Sequence, residues 1–127
     1  VSNTETEGVR VTVKASFWPE RSAPDNNQWA FTYSVKVTNE GTRVATLRAR
    51  HWVITDANGR VEEVRGEGVV GKQPRLEAGE SFEYTSWAML RTPFGSMRGE
   101  YLMERQDGSK FEAKISEFAL TQPNALN

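Results

Sequence analysis

Trp29-Ala30-Phe31-Thr32-Tyr33-Ser34-Val35-Lys36-Val37-Thr38 is the stretch that decides the fold. Trp29, Phe31, Tyr33, Val35 and Val37 alternate with Ala30, Thr32, Ser34, Lys36 and Thr38. A period of two gives an extended chain one apolar face and one wet face. Upstream, Val9, Val11, Val13, Ala15 and Phe17 repeat the pattern against Arg10, Thr12, Lys14 and Ser16. Downstream it recurs at 81–89 (Phe82, Tyr84, Ser86, Ala88), at 97–104 (Met97, Gly99, Tyr101, Met103) and at Phe111, Ala113 and Ile115. Phe118 and Leu120 have the opposite parity from Ile115, which predicts a bulge or a change of partner near Ser116.

Residues 44–56 and 60–64 form two further runs, separated by Asn58-Gly59, and Asp107-Gly108 marks another turn. Such dipeptides suit two-residue type I′ hairpins, in which both central residues take positive φ. No segment of helical length carries an i, i+3, i+4, i+7 apolar stripe. About seven to nine short strands with regular turn signals predict an all-β chain folded as an antiparallel β-sandwich. We expect one domain over 9–121, a flexible N-terminal segment over 1–8 and a C-terminal tail over 122–127, with Pro19–Gln28 as a polar loop.

The 127 residues suffice for a single core that buries roughly two-thirds of the unfolded surface, without disulfide or metal. The absence of cysteine excludes disulfides, thiolate nucleophiles and cysteine-based metal centres, and is compatible with a reducing, cytoplasmic setting. A net charge of −1 and a pI near 5.9 supply no general attraction to nucleic acid or to anionic lipid. No apolar run of membrane length is present. The chain begins at Val1 rather than methionine, as a trimmed or processed chain or an excised domain does.

Gly66, Gly68 and Gly71 in Val64-Arg65-Gly66-Glu67-Gly68-Val69-Val70-Gly71-Lys72-Gln73-Pro74 spell G-x-G-x-x-G. In a dinucleotide fold the last glycine opens a helix whose N-terminus holds the phosphates. Here Gln73-Pro74 and Glu77-Ala78-Gly79-Glu80 follow, a breaker and a turn. Glu62, Glu63, Glu67 and Glu77 also outnumber Arg65, Lys72 and Arg75. Loop geometry is therefore the first expectation for these glycines. An anion-binding nest of turn amides, helped by Arg65 and Lys72, is the second.

His51, the only histidine, lies mid-strand among apolar residues, where a hydrogen-bonded structural imidazole is expected rather than a general base. Asp56-Ala57-Asn58-Gly59 opens like a calcium loop but lacks its later ligands. Arg43, Arg48 and Arg50 are a candidate anion patch. Of the four tryptophans, Trp29 is in register with its strand's apolar face. Trp87 shares a face with Glu83 and Thr85, so it is either an exposed contact anchor or is buried under a second rim; Trp18, beside Pro19, is a weaker anchor candidate. No residue is a nucleophile with an evident base, so no enzyme, catalytic residue, metal or cofactor is expected.

Arg50-His51-Trp52-Val53-Ile54-Thr55-Asp56, Asn58-Gly59-Arg60 and the glycine stretch closely resemble the ApaG family, called CorD in some bacteria. Ser22 to Asp25, Phe31-Thr32-Tyr33, Gly79-Glu80-Ser81-Phe82-Glu83-Tyr84-Thr85-Ser86 and Gly95-Ser96-Met97-Arg98-Gly99 match in the same order, so the resemblance covers roughly 9–121. It implies a fibronectin type III-like sandwich and a cytoplasmic, non-enzymatic protein. It also implies genetic association with diadenosine tetraphosphate hydrolysis and with cobalt tolerance and magnesium efflux. Appended domains of this kind resemble protein-interaction modules. A pyrophosphate-binding role suggested for the family's glycine motif carries over to Gly66, Gly68 and Gly71, with a diadenosine polyphosphate as the nucleotide. One departure stands out: many members read Thr-Ser-Gly where this chain has Thr85-Ser86-Trp87. Two functions are thus expected: a protein-interaction module with an unidentified protein partner, contacted through Trp87 and Trp18, or a nucleotide sensor at the glycine loop.

Overall fold

The computed structural model describes residues 1–123. Nine strands follow one another: β1 (Ser2–Thr6), β2 (Val9–Phe17), β3 (Trp29–Asn39), β4 (Ala45–Asp56), β5 (Val61–Glu67), β6 (Arg75–Leu76), β7 (Ser81–Leu90), β8 (Phe94–Arg105) and β9 (Lys110–Thr121). All pairs are antiparallel. One sheet runs β1-β2-β3-β7 and the other β5-β4-β8-β9, with β6 also pairing β4. The pairing of β2-β3-β7 opposite β5-β4-β8-β9 is the fibronectin type III arrangement, with β1 added at an edge. Two short 3-10 turns, Pro19–Arg21 and Pro24–Asn26, shape the polar loop before β3. Among the described residues no helix is long and apolar enough to cross a membrane.

The period-two faces meet between the sheets. Val9, Val11, Val13, Phe31, Val35 and Val37 of one sheet are buried against Leu47, Trp52, Met97, Tyr101, Ile115 and Leu120 of the other. Trp29 is half-buried at the end of β3, where its indole N–H donates to Gln122 Oε1 at 3.0 Å. The parity change in the last strand is a register shift. Met97 faces Phe118 but Gly99 faces Ile115, and the skipped residues return Phe118 and Leu120 to the core.

Two expectations differ from the structure. Residues 2–6 are strand β1, joined to β2 through Glu7-Gly8, both at positive φ. This strand has no apolar residue to announce it. Backbone pairing holds it, with a Ser2 Oγ–Ser116 Oγ hydrogen bond of 2.6 Å to β9. Of the C-terminal tail, residues 124–127 lie outside the described residues. The turns at Asn58-Gly59 and Asp107-Gly108 are not type I′, because only the glycine has positive φ. Their matching hydrogen bonds, Asp56 N–H to Arg60 O and Arg105 N–H to Ser109 O, close longer loops. In each an aspartate carboxylate accepts from the following turn.

Gly99 lets β4 and β8 lie at ladder distance where the register shifts. A Cβ there would stand 2.0 Å from the His51 carbonyl oxygen. Gly99→Ala should therefore lower stability by about 3 kcal/mol. Equilibrium urea unfolding measures it, and an unchanged midpoint would show that the pairing tolerates a side chain.

Candidate functional site

The two long sides of the sandwich differ. At one, β1 and β2 pack on β9, and the Lys114 N–H donates to Thr6 Oγ1 at 3.2 Å. At the other, β5 and β7 each pair on one edge only and stand apart. Between them lies a cleft of about 490 Å³, within the usual range for ligand sites. Trp52, Ile54, Val64, Leu90 and Met97 supply apolar walls, and Arg50, Arg60 and Arg91 carry positive charge into the same space.

Arg50 reaches the cleft because β4 is irregular. A register shift between Leu47 and Ala49 makes Arg48 an extra residue. Arg48 then pairs with Glu104 at 2.7 Å, and Arg43 pairs with Asp107 at 3.0 Å. The three arginines consequently form no shared anion patch. Tyr33 and Tyr101 are buried and Tyr84 half-buried near Arg50, and the Tyr84 and Tyr101 hydroxyls are hydrogen-bonded to each other. Burial pushes all three phenols up, partly opposed by the Arg50 charge, so they are neutral hydroxyls. Trp52 is 2% exposed, and its indole N–H has no hydrogen-bond partner in the structure.

Trp87 is 50% exposed on β7 and Met89, two residues on, is 37% exposed. The Trp18 ring meets Trp87 edge-on, with centroids 6.1 Å apart. The Arg21 guanidinium lies 5.6 Å from the centre of the Trp18 ring. The structure thus brings together the two tryptophans that the sequence singled out separately. The ridge is anchored by Trp18 N–H donating to Ala30 O at 2.8 Å.

The glycine motif is turn geometry. Val70 and Gly71 have φ of 44° and 79°, and they form a two-residue hairpin between Val69 and Lys72. Gly68 N–H donates to Arg48 O, Val69 N–H to Lys72 O, and Lys72 N–H to Val69 O, at 2.8, 2.8 and 2.9 Å. These amides are already committed to main-chain acceptors. Gly66 lies in β5 beneath the Arg50 guanidinium, whose Nη1 donates to Glu67 O and Gly68 O at 3.0 Å. Arg65 and Lys72 are exposed, and Arg65 is 3.7 Å from Glu63. Gly68 has φ of 61°, and a Cβ would come within 2.2 Å of Lys72 O. Gly68→Ala should therefore cost about 3 kcal/mol, read as a lowered thermal midpoint. A wild-type midpoint would mean that the hairpin is not constrained at this residue.

His51 is held on the other face of β4 from the cleft. Its Nε2 donates to Glu63 Oε1 at 2.7 Å and its Nδ1 to Glu100. Only the doubly protonated ring can donate on both sides. The hydrogen bonds to Glu63 and Glu100 hold the imidazole pKa above its usual 6.5, and the same contact holds Glu63 below 4.5. Such an imidazole is a structural cross-strand tie, with neither nitrogen free to act as a base. Among the described residues no group of three His, Asp or Glu could hold a metal ion.

The sign of the pH dependence follows. The folded pKa of His51 is raised, so its stabilisation is full below about 6.5 and is lost as pH rises through the folded value. Glu63 is depressed, so its share is present above about 4.5 and is lost as pH falls through its folded value. Urea midpoints should decline as pH rises above about 6.5 in the wild type, and His51→Gln should flatten that decline. Parallel curves for the two proteins would remove the tie from the account.

The sheet order and the open cleft define a small fibronectin type III-like sandwich domain. Residues 19–105 match the ApaG domain. Protein ApaG of Anaeromyxobacter dehalogenans strain 2CP-C is 55% identical over 127 residues, all of both chains. Protein ApaG of Ralstonia nicotianae is 53% identical over 119 residues, covering 94% of this chain and 96% of that one. The crystal structure of the putative ApaA protein from Bordetella pertussis superposes with a TM-score of 0.90 at 46% identity, over 95% of this chain and 98% of that one. The chain belongs to the ApaG family. None of these names states a catalytic activity.

Sequence reasoning did not find Arg60, Arg91 or the tyrosine cluster as parts of one site. They come from separate strands and turns, and no spacing along the chain signals their meeting.

Proposed function

We propose that this ApaG domain is a non-enzymatic protein-interaction module whose contact surface is the ridge of Trp87, Trp18 and Met89 along β7. The carrying observation is the half-exposed Trp87, braced by Trp18 on a strand with a free edge. Tryptophan is the side chain most enriched among dominant interface contacts, and bracing reduces the rotamer freedom lost on binding. His51 supports no catalytic alternative, since it lies on the opposite face of β4 from Ser86 and the cleft.

The nucleotide-sensor alternative at Gly66–Gly71 draws on the exposed Arg65 and Lys72. It has weaker support, because three loop amides are already bonded and the exposed Glu67 stands within the loop. Direct metal carriage finds no ligand set among the described residues, so a link to cobalt or magnesium handling is better served by a protein contact.

Trp87→Ala should leave the unfolding free energy within about 1 kcal/mol of wild type, since the ring is half in solvent. Affinity capture with quantitative mass spectrometry should show a defined set of bacterial proteins lost with the variant. Equal capture by the folded variant would refute the assignment of this ridge.

A further inference from the structure

We infer that the cleft between β5 and β7 receives an acidic peptide segment in extended form, which pairs with the free edge of β7 and turns a carboxylate toward Arg50, Arg60 and Arg91. This inference rests on the interaction-module reading and names the chemistry of the partner.

The first observation is the edge. β7 pairs with β3 along ten residues, and its other edge has no strand beside it. Alternate N–H and C=O groups therefore face outward along a template for a further strand. Natural edges are commonly guarded by charge, and β5 carries Glu62, Glu63, Arg65 and Glu67, while β9 carries Lys110, Glu112, Lys114 and Glu117. Across Ser81–Leu90 the one charged residue is Glu83, and there is no proline. The unguarded edge is the one beside the cleft.

The second observation is charge. Arg50, Arg60 and Arg91 line the cleft, and none has a carboxylate partner within 4.0 Å among the described residues. The acidic groups in the same lining are Asp56 and Glu62. Asp56 is occupied by the backbone N–H groups of Asn58 and Arg60 at 2.9 Å, which leaves Glu62 as the one carboxylate not so engaged. Three guanidinium groups against two carboxylates favour a ligand with negative charge, and guanidinium matches carboxylate geometry.

The third observation is the indole of Trp52, a buried donor without an acceptor in the wall of this cleft. Buried N–H groups are nearly always bonded, and an unbonded one in the cleft wall is a local reporter of anything seated against that wall. A small organic acid could satisfy the charges but would leave the β7 edge unpaired. An extended peptide satisfies both, and apolar side chains beside its acid would lie along Trp87 and Met89.

The test uses a phage-displayed library of random twelve-residue peptides, panned on the wild-type domain. The winners are then titrated as synthetic peptides by NMR. Winners should carry Asp or Glu at alternating distance from an apolar residue. They should move the amides of residues 81–90 and the Trp52 indole N–H resonance. Arg60→Glu with Arg91→Glu, both exposed positions, should weaken them about tenfold or more. No enrichment, winners without an acid, indifference to charge reversal, or shifts away from β7 would overturn the inference. So would N-acetylglutamate amide binding as tightly as the peptides, since the edge would then play no part. Trp87→Ala separates the two proposals. Partner capture abolished by Trp87→Ala but untouched by charge reversal sinks this inference and leaves the interaction module standing; the converse pattern removes the ridge and keeps the cleft.

Discussion

The packing of Trp52 between the sheets is the constraint on which the rest of the structure depends. Its ring meets Tyr33 of one sheet at 5.2 Å, and Tyr101 and Phe118 of the other at 6.1 and 6.0 Å. Burying an aromatic surface of that size stabilises the fold by about 5 kcal/mol before entropy is counted. Because the ring stands near the open side, it is also the inner wall of the cleft. The same side chain holds the sheets together and sets the floor of the surface offered to a partner.

From that centre the two long sides diverge. One is sealed by β1 and β9, partly through small polar contacts such as that between Ser2 and Ser116. The other keeps two strand edges apart and gathers arginines from β4, from the β4–β5 turn and from the end of β7. A fold with no helix and no metal cluster among its described residues has few ways of building a concave site, and separating two edges of a sandwich is one of them. The single histidine lies away from this site, on the other face of β4, tied to Glu63 and Glu100.

The glycine motif shows turn geometry and close packing making use of the same spacing as a phosphate loop. Gly68 and Gly71 take positive φ, Gly68 also lies against the Lys72 carbonyl, and Gly66 lies under the Arg50 guanidinium. Spacing alone could not separate these demands from those of a phosphate. The sequence around the motif could, since Gln73-Pro74 removes the helix that a dinucleotide site uses.

Period-two alternation by itself determined the strands, their buried faces and the parity change in β9, because the energy of burying Phe31, Val35 or Ile115 depends only on which side of an extended chain each occupies. The Trp87 candidate was legible for a related reason: a large apolar ring on a face shared with Glu83 and Thr85 is out of keeping locally, whereas Trp18 stood out only by its place beside Pro19. Strand β1 was not legible, because backbone hydrogen bonds to β2 hold it and no side-chain pattern records them. Nor was the bulge at Arg48, which sends Arg48 to Glu104 and Arg50 into the cleft and divides two residues that strict alternation would leave together. The cleft itself, with Arg50, Arg60, Arg91 and the unpaired Trp52 donor, was decided only by tertiary structure. Its parts lie on five strands and two turns, and their proximity follows from sheet order and from which edges remain unpaired, neither of which a local pattern encodes.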